Sequence, residues 1–552
     1  MGDSSDINKM GGYAPSRTLL IQASILIILT VVFLIELYSF AGIQDIWVDE
    51  STQLSGITLK LWEMLRWLSG ADLDRFGVPG DRMPPVSYFL DWSWLRFAGP
   101  STIGFRLFHS VFVIAGAWVL AVIAWREVGP TAATVTFVFL VLSPKLIQTG
   151  VEIRAYPIFF MVTCIQLAVF LKLLSDQKLV DLKLLAAFAC LCLVSIYTHF
   201  YGLVSTCAFF LALGIAFLES SASLIALAVA FAFVMIGSFG LLPFVTSAVG
   251  QSQQIIAKDR MAGQYLTYFF RLFGDSANMV SLSASVSFLG GTLALLLAGA
   301  ISAFIRIWRQ KARSFDWVYV VVIAGALAPV LASFVVRSFN VTNPSYSGWL
   351  FGPLSLLVGI GATTVTGFRF WDHVGRFVVI GATLIGASVS TVAFLTHSAM
   401  FIHGPQRFVG AIIDRTEGPR AIVYESGAAW GFPYFPLVFS HARRVDQYRA
   451  AENEVGLIRA GSGVSQLAPQ SIVSTVAPYT HLLLVDTQLR TYRDLREYQK
   501  GESCPSFARG VIEEMLIETG QWRESKVERS FGLYDTQVKI LDRVTGGAPS
   551  TN

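Results

Sequence analysis

Long apolar stretches, separated by short polar breaks, recur along the chain from residue 18 to residue 399. A hydrocarbon core of ~30 Å takes about 20 apolar residues in helical form. On that measure the segments 18–43, 102–125, 131–149, 155–175, 184–201, 203–219, 222–248, 282–305, 317–337, 346–367 and 377–399 are predicted to span a membrane. The pair 184–201 and 203–219 is nearly continuous, divided only by the turn signal Thr198-His199-Phe200-Tyr201-Gly202. The first apolar run is longer than the ~7–15 apolar residues of a signal peptide, which predicts an uncleaved first span.

Basic residues in the short connections set the orientation. With the N-terminus inside, the inner loops hold Arg126; Lys172, Lys178 and Lys183; Arg306, Arg309, Lys311 and Arg313; and Arg369 and Arg376. The opposite choice would place the segment RIWRQKAR outside. An odd number of spans then sends the C-terminal tail to the outer side. The expected division is a membrane domain over 1–401 and an extracytoplasmic domain over 402–552, in a multi-pass protein of a bacterial inner membrane whose N-terminus is cytoplasmic.

Between the spans, three outer segments are long: 44–101, 250–281 and the tail. In 57–69 (ITLKLWEMLRWLS), Ile57, Leu61, Met64, Leu65 and Leu68 recur at helical spacing, with Lys60, Glu63 and Arg66 on another face. That pattern predicts a helix in the interface plane. Residues 84–99 are apolar and aromatic but carry Asp91 and Arg96, and Tyr88, Trp92 and Trp94 suit an interfacial belt. In the tail, RAIVYES and HLLLVDT read as strands, 506–520 as a helix, and FGLYDTQVKIL as a loosely alternating strand. A mixed α/β domain follows.

Composition supports the membrane class. Of 552 residues, 54% are hydrophobic and 14% charged, against ~25% charged in soluble domains. Mean hydropathy is +0.59. The net charge of +4 gives no reason to invoke nucleic acid. Cys164, Cys190, Cys192 and Cys207 lie in apolar runs and Cys504 in a polar one, with no disulfide or zinc spacing.

Polar residues at membrane depth are costly, and their default reading is functional. Asp49 and Glu50 follow the first span. Adjacent carboxylates repel each other, which raises a pKa and can tune a general base; a pair of acids can equally mark the end of a span. Glu152, Arg154 and Tyr156 sit before Pro157, where alternate spacing predicts a short extended stretch. Arg154 could clamp a phosphate, or pair with Glu152. His199, Arg337, Asp81 and Arg82 fall at the same outer boundary, where a structural histidine, a snorkelling arginine and a Pro-Pro turn are the plainer readings of each alone. Together, acids and guanidinium groups at one face suit a reaction with an anionic leaving group.

These pieces resemble a known family. WVDES resembles the acidic first-loop motif of the GT-C glycosyltransferases. DRMPPVSYFLDWSWLRFAGPSTIGFRLFHSVF resembles their D-x-x-P-P-L-Y-Y … G-x-S … R-L stretch, VEIRAYPIFF their E-x-R-x-Y, and SIYTHFYGLV their Y-T-H-Y-x-G. The motifs occur in family order over roughly residues 40–205. They point to the branch of the rhizobial lipopolysaccharide galacturonosyltransferases, with protein O-mannosyltransferases and lipid A aminoarabinose transferases as more distant relatives. The resemblance implies a GT-C fold of about eleven transmembrane helices. It also implies transfer of a sugar from a polyprenyl-phosphate donor to a hydroxyl of an envelope glycan, lipid or protein acceptor, with inversion.

In that reading Asp49 matches the base position and Glu50 orients acceptor or donor sugar. Arg154, His199, Arg82 and Arg337 are candidate cations for the departing phosphate, with Asp81, Glu152 and Tyr156 beside them. No cofactor is required; a divalent cation stays open but unsupported, since Met83 stands where the family has Lys or His and puts a metal site near this loop in doubt. The alternative function is a transporter or flippase of lipid-linked sugars, although paired broken helices and related halves are absent from the pattern. In the tail, Trp430, Tyr434 and Tyr448 are candidates for glycan contact, against a purely capping role.

Overall fold

A computed structural model describes residues 17–46, 48–72, 81, 83–175, 180–246, 265, 268–269, 272, 282–336, 342, 345–364, 371–396, 406–424, 446–450, 465–467, 472–489, 511–532 and 534–544. The apolar periods become α1 (Arg17–Ile43), α5 (Thr102–Glu127), α6 (Pro130–Val141), α7 (Pro144–Val151), α8 (Ala155–Leu173), α9 (Leu182–Thr198), α10 (Gly202–Ala216) and α11 (Ser221–Ser238). They continue as α12 (Leu282–Trp308), α13 (Trp317–Val336), α14 (Phe351–Thr363) and α15 (Arg376–Thr396). The first loop adds α2 (Val48–Gly56), α3 (Leu61–Leu68) and α4 (Pro85–Ala98).

Among the described residues, seven helices are long and apolar enough to cross a membrane. The pair α6 and α7 meets the same measure only when taken together, and α9, α10 and the segment Gly348–Thr363 are shorter apolar helices. Each of the eleven predicted segments holds a helix among the described residues, and the protein is a multi-pass membrane protein. One expectation changes: 131–149 is not one straight span but bends by 65° between α6 and α7. Pro144 opens α7 and has no N–H to continue the ladder. Ser143 caps the new helix, its Oγ accepting the Leu146 N–H at 3.3 Å.

The nearly fused pair turns at Gly202. The Gly202 N–H donates to the His199 carbonyl at 2.7 Å, and a Cβ here would lie 2.4 Å from the Ser195 carbonyl. That neighbour is backbone and cannot swing aside. Gly202→Ala should therefore destabilise by about 2–3 kcal/mol, measured as thermal unfolding in detergent. Gly214→Ala on the same helix, where a Cβ meets nothing within 4 Å, should be neutral or stabilising.

A continuous apolar core, including Phe33, Leu37, Phe40, Ala117, Leu120, Phe159 and Phe160, runs through the bundle. A second cluster built from Ile57, Met64, Trp67, Leu68, Met83, Tyr88, Phe105, Ile153 and Tyr156 roofs one end of it. The first loop is thus a packed cap, laid on the bundle by the inward faces of α2, α3 and α4. Its outward aromatics, Trp62 and Phe97, are exposed at 70% and 86%, as an interfacial belt requires. Tyr88 departs from that belt: it is fully buried, and its hydroxyl donates to Asp81 Oδ2 at 2.8 Å. Asp91 is also buried rather than facing water.

The tail folds as a six-stranded sheet, with β1 (Arg420–Tyr424), β2 (Asp446–Ala450), β3 (Ser465–Leu467), β4 (His481–Leu489), β5 (Trp522–Ser530) and β6 (Tyr534–Arg543) in the order β3-β2-β1-β4-β6-β5. The first four strands are parallel, and β6 pairs antiparallel with both β4 and β5. Strand period two sends Ala421, Val423, Leu482 and Leu484 to one face, under α17 (Ile472–Val476) and α18 (Val511–Glu518). Ile422, Leu483 and Val485 go to the other, under α16 (Gln406–Arg415). RAIVYES, HLLLVDT and FGLYDTQVKIL are strands as expected, and 506–520 contains α18.

Helix α16 is bolted to the end of α1. The Arg407 N–H donates to Asp45 Oδ2 at 2.6 Å, and its guanidinium donates to the carbonyls of Gly42 at 2.7 Å and Gln44 at 3.2 Å. Burial pushes the Asp45 carboxyl up to about 6, opposed by hydrogen bonds from the Arg407 and Ile46 N–H groups.

Candidate functional site

The site forms where the cap meets the bundle. Asp49 and Glu50 fall in the first turn of α2, where the helix dipole favours acids, and their side chains part. Glu50 turns inward and is 1% exposed. Arg106 of α5 forks onto both its oxygens at 2.8 Å, and the Ile153 N–H donates to Oε1 at 2.9 Å. The rest of the Arg106 fork donates to the carbonyls of Val151 at 2.7 Å and Asp45 at 2.9 Å. Glu50 is thus a buried joint between α2, α5 and the stretch before α8, and its oxygens are committed to protein donors.

Asp49 turns outward, with a side chain 39% exposed. One carboxylate oxygen lies 3.8 Å from Arg154 Nη2, and its backbone carbonyl accepts from Arg154 Nη1 at 3.1 Å. The predicted extended stretch is present: Glu152 and Arg154 both have extended backbone between α7 and α8. It sends Ile153 into the apolar cap and leaves Arg154 2% exposed between Asp49 and Asp81. Arg154 Nη1 pairs closely with Asp81 Oδ2, and Nη2 donates to Oδ1 at 3.3 Å. Its guanidinium therefore serves two carboxylates.

His199 lies one residue beyond α9 and is stacked on Phe159, ring centroids 5.1 Å apart. Tyr156, Tyr201 and Tyr346 surround it at 5.4, 5.7 and 5.5 Å. Burial, with Arg154 nearby, pushes the imidazole down to about 3. It is a neutral ring at working pH, so it offers a hydrogen bond where the sequence suggested a cation. Nδ1 accepts the Tyr201 N–H at 3.1 Å, which leaves Nε2 as the N–H donor. Nε2 has no hydrogen-bond partner among the described residues.

Glu152 and Tyr156 line a narrow cleft with Lys145, Thr149, Ser345 and Trp349, and its water-sized space is about 10 Å³. Lys145 Nζ donates to Ser345 Oγ at 3.4 Å. Burial pushes the Glu152 carboxyl up to about 7; Lys145 opposes the shift and the Glu50 charge adds to it.

Below α2, a buried polar chain steadies its second turn. Gln53 Nε2 donates to Asp91 Oδ2 at 2.5 Å, and Asp91 Oδ1 meets His109 Nε2 at 2.8 Å. Gln53, one helical turn after Asp49, thereby fixes the direction of that turn.

The structure thus brings together Asp49, Glu50, Asp81, Glu152, Arg154, Tyr156 and His199. Arg82 and Arg337 lie outside the described residues, as do Cys504, Trp430, Tyr434 and the side chain of Tyr448. Met83 is 5% exposed within the apolar cap. Among the described residues no three His, Cys, Asp or Glu side chains gather as metal donors. Sequence reasoning missed Lys145, hidden inside a predicted span, although a lysine in such a run is itself a signal. Arg106, Asp91 and His109 lay within the recognised stretch without a role.

No family model matches the chain, and no curated protein matches it. Solved structures do. ArnT from Cupriavidus metallidurans, in crystal structures bound to undecaprenyl phosphate and in the apo state, superposes with a TM-score of 0.52 at 12% identity, covering 95% of this chain and 99% of ArnT. The archaeal oligosaccharyltransferase AglB from Archaeoglobus fulgidus, in complex with an inhibitory peptide and a dolichol-phosphate, gives a TM-score of 0.44 at 9% identity, over 84% of this chain and 69% of AglB. From the first loop to the tail, the chain carries the GT-C membrane fold.

Proposed function

We propose that this protein is a membrane glycosyltransferase that moves a sugar from a polyprenyl-phosphate donor to a hydroxyl of an envelope glycan, lipid or protein. The observation that carries this reading is the half-open Asp49 carboxylate, held beside Arg154 in a cap that roofs a GT-C bundle. ArnT, which shares the fold, was solved with undecaprenyl phosphate bound. Placement in a bacterial inner membrane, with the N-terminus cytoplasmic and the cap and residues 402–552 outside, rests on the basic residues of the opposite loops.

The chemistry follows from the polarity of the site. A sugar hydroxyl is a weak nucleophile, and a positioned carboxylate that takes its proton contributes about 10²–10⁴-fold. Asp49 accepts that proton as the hydroxyl oxygen bonds to the anomeric carbon. The bond from that carbon to the phosphate oxygen breaks, and polyprenyl phosphate departs with the electron pair. One displacement inverts the anomeric centre. Arg154 and the Nε2–H of His199 face the growing negative charge, Asp81 fixes the Arg154 fork, and Tyr156 and Glu152 bound the donor side. Glu50 acts through Arg106 by holding α2. The direct test is envelope analysis of a deletion strain, which should lack one sugar and accumulate the matching lipid-linked donor. An unchanged envelope would overturn the reading.

Glu152 adds a pH dependence. Its folded-state value of about 7 lies above the ordinary 4.5. It is therefore neutral in mildly acidic buffer and gains a negative charge as pH rises through about 7. That charge opposes an anionic donor, so KM for the donor should rise on the alkaline side. In Glu152→Gln the KM profile between pH 6 and pH 8 should flatten. A rise that persists in this variant would remove Glu152 from the donor side.

A further inference from the structure

Far from the cap, α12 and α13 leave an apolar groove between them. Ser314, in the turn that joins them, donates to Glu127 at 2.9 Å, which places the turn at the end of α5 opposite the first loop. Ala300, Ala303, Phe304 and Ile307 form one wall, and Tyr319 and Ile323 belong to the other. The groove volume is about 360 Å³, within the ~300–1,000 Å³ of small-molecule sites. Phe304 and Ile323 are more than half exposed, so the groove opens sideways to the bilayer.

The turn at its mouth is basic. Arg306 is committed to Asp316, with Nε donating at 2.8 Å, and to Ser302 at 2.7 Å. Gln310, at φ 54, reverses the chain. Arg309, Lys311 and Arg313 are exposed around it, and Glu127, their acidic neighbour, already accepts from Ser314. Trp308 is 81% exposed, as an interfacial anchor is. Deeper in, the Tyr319 ring lines the groove, while its hydroxyl is buried against Gly299 of α12. Basic loop charge by itself only orients a span. A cationic rim above an apolar furrow follows the layout of one lipid molecule from headgroup to chain.

We propose that the α12–α13 hairpin binds one anionic glycerophospholipid of the bilayer. Its phosphate sits against Arg309, Lys311 and Arg313, and one acyl chain fills the groove. This site is separate from the sugar-transfer reading and does not depend on it. Each Lys or Arg near an anionic lipid surface contributes roughly 1 kcal/mol, or about fivefold.

Native mass spectrometry of the full chain in detergent, offered dioleoyl phosphatidylglycerol and dioleoyl phosphatidylcholine in equal amounts, tests the proposal. The native chain should retain one phosphatidylglycerol at least tenfold over phosphatidylcholine. The triple variant Arg309→Gln, Lys311→Gln, Arg313→Gln should lose that preference. Ala300→Phe, which fills the groove and leaves the charges, should lose retention of both lipids by about tenfold. Ile323→Ala provides a second, milder groove variant and should weaken retention a few-fold. Chain-free glycerol phosphate should not compete. Equal retention of the two lipids by the native chain overturns the proposal. So does full retention in both groove variants, which would reduce the effect to diffuse surface charge.

Discussion

Asp49→Asn should lower kcat by about 10²–10⁴-fold while leaving donor affinity within a few-fold. Asparagine keeps the size and polarity of the side chain but cannot take a proton from a sugar hydroxyl. The local structure should survive. The Arg154 bond to this residue that is within hydrogen-bonding distance goes to its backbone carbonyl, at 3.1 Å, while the carboxylate itself sits 3.8 Å away. Asp81 still holds the guanidinium on the other side. The measurement is transfer of labelled sugar from a polyprenyl-phosphate donor in reconstituted membranes, alongside donor binding by the same preparation. A variant that keeps native turnover would remove Asp49 as the base. A flippase would be indifferent to the change, so the experiment also separates an enzyme from a carrier.

Arg106→Met should be the most damaging single change to stability, at about 3–5 kcal/mol. Arg106 and Glu50 are 0% and 1% exposed, and removal of the guanidinium leaves a carboxylate buried with, among the described residues, only the Ile153 N–H as donor. Two backbone carbonyls, of Asp45 and Val151, also lose their partner. The double variant Glu50→Gln, Arg106→Met removes the stranded charge and should recover part of the loss, though not the carbonyl bonds. Unfolding midpoints in detergent measure both. A double variant no more stable than Arg106→Met would show that the carbonyl contacts, and not the ion pair, carry the joint.

The membrane region was largely legible because hydrophobicity at the scale of a span is a strong signal. The bend at Ser143-Pro144 escaped because an apolar run does not reveal where its axis turns. The tail strands were legible where both faces are buried, as in β1 and β4. They were not where one strand lies at an edge: β5 reads WRESKVERS and is mostly exposed, so charge hides its alternation. At the candidate site, Asp49 and Arg154 could be named from sequence because motif and membrane boundary coincide there. The different fates of Asp49 and Glu50 could not, since neighbours on a helix diverge by about 100° and only packing decides which faces inward. The Arg106–Glu50 and Arg407–Asp45 contacts join residues 56 and 362 positions apart, separations at which no local pattern operates.

The stretch Gly42–Asp45 is gripped from two sides, by Arg407 of the tail and by Arg106 of α5. It behaves as a tether without slack. A pull on the sheet is delivered within a few residues to the helix turn that aims Asp49.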